Sequence, residues 1–184
     1  MMISHELPPR LLMHTMRTRE LATKLARGYG LDEEEVHRVE LGALLHDNCR
    51  HWPPERLLSA AREFGYTPDE VEAASPVLLH ARVGAFRLRT EYSLSDEVVY
   101  SCVFHHTVGG PGMSDAAKIV YCADKIEPGR DYPGADRLRR LAPEGLKPLC
   151  RGIVSSTIEY LSSLDRPVHP ATVAFLQELK GDES

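Results

Sequence analysis

Along most of this chain, apolar residues recur three and four positions apart with polar residues between them. Leu21 and Leu25, then Ala22 and Ala26, mark one such stripe, and Val36, Val39 and Ala43 mark the next. No segment alternates cleanly enough to predict a strand. Gly28-Tyr29-Gly30 closes the first helix, and Asp32 with Glu33, Glu34 and Glu35 opens a second, placing negative charge where the helix dipole favours it. The second helix is expected to run to about Asp47. Pro53-Pro54 opens a third that stops near Gly65, and Thr67-Pro68-Asp69-Glu70 reads as the cap and first turn of a fourth. Pro76 then kinks or breaks the chain before His80.

Further helices are expected over residues 81–92 and from Ser95-Asp96-Glu97 to His105-His106, followed by a loop at Gly109-Gly110-Pro111-Gly112. Ser114 caps the helix that carries Ala123-Asp124, and Pro128-Gly129 ends it. Tyr132-Pro133-Gly134 forms a loop before a short helix that stops at Pro143. A long helical segment covers residues 144–164 with Pro148 near its start, and a last helix follows Pro170. The pattern predicts an all-α helical bundle of eight or nine helices, in one domain over residues 1–184.

Composition changes this picture little. Of the 184 residues, 42% are hydrophobic and 27% charged, the profile of a globular chain with one sizeable core. The formal net charge of −5 gives no general attraction for a long nucleic acid, while a small anion held through metal remains open. No apolar run approaches the roughly 20 residues of a membrane span, and Met1 to Pro9 lacks the halves of a signal peptide, so a cytoplasmic location is expected. Cys49, Cys102, Cys122 and Cys150 form no C-x-x-C pair and read as reduced, buried thiols, with Cys49 packing beside a site.

The chemistry lies in the placing of histidines and aspartates. His14 falls in the first helix, His46-Asp47 at the end of the second, His80 at a helix start, His106 at a helix end, and Asp124 on the helix after the glycine loop. Candidate ligands thus sit on or beside five helices. Adjacent helical residues point about 100° apart, so His46 and Asp47 share a metal only where the backbone relaxes at a helix end. Asp47 has two oxygens with which to bridge two cations, and a mixed imidazole and carboxylate set suits iron, manganese, cobalt or zinc better than calcium. Taken singly, each residue also has a plainer reading. His14 and His80 fit core or boundary histidines, Asp124 a surface charge, and His105-His106 polar residues closing a helix.

In order along the chain, His14, His46-Asp47 and the Asp124 of Cys122-Ala123-Asp124 resemble the H, HD and D signature of HD-domain metallohydrolases. Within that superfamily, residues 79–85 (Leu79 to Ala85), 106–113 (His106 to Met113) and 123–130 (Ala123 to Arg130) resemble the YqeK family. The resemblance covers nearly the whole chain and implies an HD-domain bundle with a di-iron centre. It implies symmetrical hydrolysis of diadenosine tetraphosphate to two ADP. By position, it places His14, His46, Asp47 and Asp124 on one metal, and His80, His106 and the bridging Asp47 on the second.

The family commonly carries lysine three residues after the HD aspartate; here that residue is Arg50. A planar guanidinium can clamp phosphate oxygens, and a solvated arginine is the alternative. Asp47 and Arg50 are the candidate catalytic residues, and Arg50, Thr107 and Arg130 the candidate substrate contacts. Glu127 and Arg130 also fit a helix-end charge pair, and His51, His105 and His169 read as surface or boundary residues. The glycine loop lacks the G-K-S/T ending of a P-loop and is expected to let Thr107 and the backbone approach a ligand. Two bridged cations would acidify a water for attack on an inner phosphate. Competing readings are a nucleotidase or phosphodiesterase acting on another nucleotide, and a nucleotide-binding module without turnover. A homodimer is left open.

Overall fold

The computed structural model describes residues 7–181. Among these the chain forms α1 (Pro9–Gly28), α2 (Glu33–Leu45), α3 (Pro54–Glu63), α4 (Glu70–Ala74), α5 (His80–Glu91), α6 (Glu97–His105), α7 (Asp115–Ile126), α8 (Ala135–Arg139), α9 (Leu146–Ser163) and α10 (Pro170–Gly181), with no strand. The ten α-helices exceed the expected count of eight or nine, and both short helices expected in the sequence, α4 and α8, stand as separate five-residue elements. Pro76 opens a 3₁₀ turn, Pro76–Leu79, that divides α4 from α5, and Gly134 at φ 96° introduces α8. The bundle is therefore all-α, as the apolar periodicity required.

Local chemistry starts the helices where the sequence indicated. Asp32 and Asp69 each accept a hydrogen bond from the backbone N–H three residues on, while Glu35 and Glu72 return the bond to the cap's own N–H. Asp96 caps α6 by accepting from Val98 and Val99, and Ser114 caps α7 by accepting from Ala117. Pro148 is tolerated in the first turn of α9, where its missing N–H would have no intrahelical partner. No helix among the described residues is long and apolar enough to cross a membrane.

Helix α7 is the spine, packed against α1, α2, α6 and α9. Its buried Ile119, Val120, Tyr121 and Ala123 join Ala22, Val39, Ile153 and Phe175 in the main core. A second cluster gathers around Trp52, Leu57 and Leu79, and a third around Leu88, Val99 and Val103. The segment 43–49 gives Ala43 to the first, Cys49 to the second and Leu45 to the third, so all three clusters meet at the end of α2. Two glycines permit that convergence. A Cβ on Gly42 would lie 2.5 Å from that of Cys102 on α6, and one on Gly84 of α5 would lie 2.7 Å from Nδ2 of Asn48.

All four cysteines are buried and free. Cys49 packs in the second cluster, where burial pushes its thiol up to about 12. His169 departs from its boundary reading. It is 5% exposed and stands before α10 with its ring 3.1 Å from Asp69 and 3.5 Å from Glu72.

Candidate metal centre

Helix α2 ends at Leu45, two residues earlier than the expected Asp47, and the chain continues through tight turns in which Asn48 and Arg50 donate to the carbonyls of Leu45 and Asp47. That departure from the helical ladder brings the two neighbours His46 and Asp47 into one cluster, with Nε2 of His46 3.4 Å from Oδ2 of Asp47. His14 comes from the middle of α1, His80 is the first residue of α5, His106 follows the last residue of α6, and Asp124 lies in the last turn of α7. All six side chains are buried, between 0% and 9% exposed.

The two oxygens of Asp47 face different partners. Oδ2 lies 3.6 Å from His14 Nε2 and 3.4 Å from His46 Nε2, while Oδ1 lies 3.1 Å from His80 Nε2 and 3.4 Å from His106 Nε2. Asp124 Oδ1 closes the first group at 3.0 Å from His14 Nε2. Ligand atoms of His14, His46 and Asp124, and again of His46, Asp47 and His106, lie within 4.8 Å of one another.

Ring orientation identifies what this cluster accepts. Nδ1 of His46 and of His106 each donate to the carbonyl three residues earlier, Ala43 and Val103, at 2.7 Å, and His80 repeats the device with Val77. His14 Nδ1 faces Glu127 Oε1 at 3.1 Å. A carbonyl only accepts, so Nδ1 of His46, His80 and His106 carries the proton and Nε2 presents a lone pair inward. Two such pairs of Nε2 atoms approach to 2.9 Å (His80 and His106) and 3.3 Å (His14 and His46). Lone pairs and carboxylates facing one another repel unless a cation stands among them. The donor set fits divalent transition metals, and the outer carbonyls and Glu127 orient the rings as such ligands require.

Electrostatics agree with a cation site. Burial opposes the charge on Asp47, yet the polar rings of His46, His106 and His80 around it hold its carboxyl well below the usual range. Burial likewise opposes Asp124, and Lys125 and His14 outweigh it. Burial brings His106 down to about 4, so that ring is a neutral donor at physiological pH.

The substrate candidates take different positions. Arg50 is exposed and lines a cleft of about 180 Å³ together with Asp47, His80, Thr107, Asp124 and Arg130. Thr107 Oγ1 reaches 3.3 Å from His80 Nε2 and 3.2 Å from His106 Nε2, so this half-buried cleft residue touches the cluster itself. Arg130 donates to Oδ1 and to the carbonyl of Asp124, at 2.6 and 2.8 Å. The side-chain pair of Glu127 with Arg130 does not form. Glu127 instead accepts from Arg17 at 2.5 Å and from the Gly129 N–H, because the turn after α7 aims it back toward α1.

Two contributors were missed in the sequence. Arg17 carried one signal, its position three residues after His14 on the same helix face. Lys125 carried none beyond adjacency to Asp124, but its ammonium donates to Asp124 Oδ2 at 2.7 Å and to the His106 carbonyl at 3.1 Å, tying α7 to the end of α6. A larger cavity of about 680 Å³ lies along the C-terminal half of α1, beside Leu21, Tyr29 and Pro143, and is lined by no histidine or aspartate.

Fold and site together define a helical protein built around a candidate histidine and aspartate metal centre. Residues 11–129 match the family model of the HD domain, and the chain belongs to that family. It is 32% identical over 171 residues to a Bacillus subtilis protein named symmetrical bis(5'-nucleosyl)-tetraphosphatase, covering 92% of this chain and 89% of that one. A relative of the same name from Halalkalibacterium halodurans is 32% identical over 90% of this chain and 87% of its own. A crystal structure of a predicted HD superfamily hydrolase involved in NAD metabolism, from Clostridium acetobutylicum, superposes with a TM-score of 0.90 at 28% identity. The match covers 98% of this chain and 96% of that one.

Proposed function

We infer that this protein is a metal-dependent phosphohydrolase that cleaves diadenosine tetraphosphate, and related dinucleoside polyphosphates, symmetrically to two nucleoside diphosphates. The observation that carries the metal chemistry is the division of Asp47, whose two oxygens face two separate groups of inward lone pairs. The names of relatives matched over about nine-tenths of the chain support the substrate.

In this reading His14, His46, Asp47 and Asp124 hold one transition-metal ion, and His80, His106 and Asp47 hold the other, with iron as the resident metal. When bound, the two ions supply positive charge to phosphate oxygens and acidify water, the two requirements of hydrolysis at neutral pH. Glu127 and the three backbone carbonyls fix the rings, so the ligands need no rearrangement on loading. Arg50 lines the cleft, and its side chain has no hydrogen bond or ion pair among the described residues, so its guanidinium is available to a phosphate. Arg130 and Lys125 also line the cleft, with donors committed to Asp124, and add positive charge there. The buried, free thiols fit a reducing cytoplasm.

The products decide the reading. Attack on an inner phosphate with the central anhydride in line yields ADP alone, while attack at an outer phosphate yields AMP and ATP from the same centre. Chromatography of an early time point in oxygen-18 water is expected to give ADP as the sole nucleotide, labelled once per cleavage. Initial AMP with ATP would exclude symmetrical cleavage. Absence of turnover with iron or manganese restored would favour a binding module.

A further inference from the structure

A cleft of about 180 Å³ accommodates phosphates but falls short of the roughly 300 Å³ or more of pockets that enclose a drug-sized molecule. If the substrate is a dinucleoside polyphosphate, its bases must therefore rest on the rim. On the His80 side the rim offers the aliphatic Val77 and Leu78. Past the lining on the Asp124 side, with its hydroxyl on the carbonyl of the cleft residue Lys125, is an aromatic ring, Tyr132, 39% exposed.

Tyr132 is held from several directions. Its hydroxyl donates to the carbonyl of Lys125 at 2.9 Å, and the Lys125 ammonium is itself on Asp124. Its carbonyl accepts from the Ala135 N–H at 3.0 Å, closing a turn with Pro133 second and Gly134 third at φ 96°, the chemistry of a type II turn. Arg139 clamps the strap that leads to it by donating to the carbonyls of Ile126 and Glu127, at 2.9 Å each, and of Arg130. Burial raises the pKa of the hydroxyl, so it stays a neutral donor to Lys125. Arg130, two residues before Tyr132 on the same strap, lines the cleft.

We propose that the ring of Tyr132 is the stacking platform for the base of the nucleoside whose phosphates lie on the Asp124 side of the cleft. A ring fixed by its hydroxyl and by its own turn loses little freedom when a base covers it, so the contact serves affinity directly. Every base has a π-face, so this contact favours a nucleotide over a bare polyphosphate without choosing among bases. The proposal rests on the dinucleoside polyphosphate reading above.

Calorimetric titration of manganese-loaded protein with ADP and with inorganic pyrophosphate separates stacking from phosphate binding. The wild type is expected to prefer ADP. Tyr132→Ala should weaken ADP by about tenfold, the scale of one base on one aromatic ring, and leave pyrophosphate and metal content unchanged. Tyr132→Phe, which keeps the ring, should stay within about threefold of wild type. The proposal is overturned by equal ADP affinity in wild type and Tyr132→Ala, by a parallel loss of pyrophosphate, by Tyr132→Phe as weak as Tyr132→Ala, or by a wild type indifferent to the base. Failure of the wild type to cleave diadenosine tetraphosphate tests the underlying reading separately.

Discussion

At the scale of single residues, Asp47 connects the two halves of the centre. A carboxylate with one oxygen toward His14 and His46 and the other toward His80 and His106 has no substitute elsewhere in the cluster, since Asp124 faces the first pair. Asp47→Ala is expected to lose both metal ions and activity together, measured by metal analysis alongside product formation; an active Asp47→Ala protein would defeat the mechanism. His80→Ala should weaken the second ion preferentially. Arg50 belongs to a different class of residue, being exposed and in the cleft. Arg50→Ala should keep its metal and fall about tenfold to hundredfold in phosphate affinity or turnover, as expected for loss of a charge-assisted contact of roughly 1.5–3 kcal/mol. Unchanged kinetics would make Arg50 a solvated surface residue.

At the scale of elements, the short α4 is held to α5 and to the start of α10 by Glu72. Glu72 is 1% exposed, accepts from Arg82 Nε and the Tyr66 hydroxyl at 2.7 Å each, and faces His169. Burial works against its charge, but His169, Tyr66 and Arg82 outweigh it and bring the carboxyl down to about 2. A carboxyl lowered in the fold contributes stability that is complete above its unfolded value near 4.5 and is lost as pH falls toward 2. Glu72→Gln should therefore lower stability at neutral pH by on the order of 2 kcal/mol. Denaturant melts of the two proteins should converge between about pH 4.5 and 2; a difference that persists unchanged at the acid end would assign the effect to packing. The aspartate caps and prolines bounding these elements were legible in the sequence because capping is local chemistry. Nothing local in the sequence marks the role of Glu72, since its long-range partners Arg82 and His169 are brought to it by packing.

At the scale of the whole molecule, the proposed ligand residues lie on or just beyond α1, α2, α5, α6 and α7, so bound metal would tie together elements of all three apolar clusters. A ligand that binds only the folded state stabilises it by roughly 2.7 kcal/mol at a hundredfold excess over its Kd. For a chain of this length that raises Tm by roughly 5–10 °C. Chelation is expected to lower the melting temperature by that amount and manganese to restore it; a transition indifferent to chelator would mean that the cluster holds no metal in solution.

By itself the sequence determined the helices, their caps and the order of His14, His46-Asp47, His80, His106 and Asp124, because periodicity, turn residues and motif spacing are properties of neighbours along the chain. Only the tertiary structure decided which lone pairs face one another, and that Glu127 turns to His14 and Arg17 rather than to Arg130. It also decided that Lys125 lines the cleft with the Tyr132 hydroxyl on its carbonyl, and that His169 is buried against acids. Contacts such as His14 with Glu127 join residues more than a hundred positions apart. Their geometry follows from how α1 packs on α7, where no local pattern records which side chain will arrive.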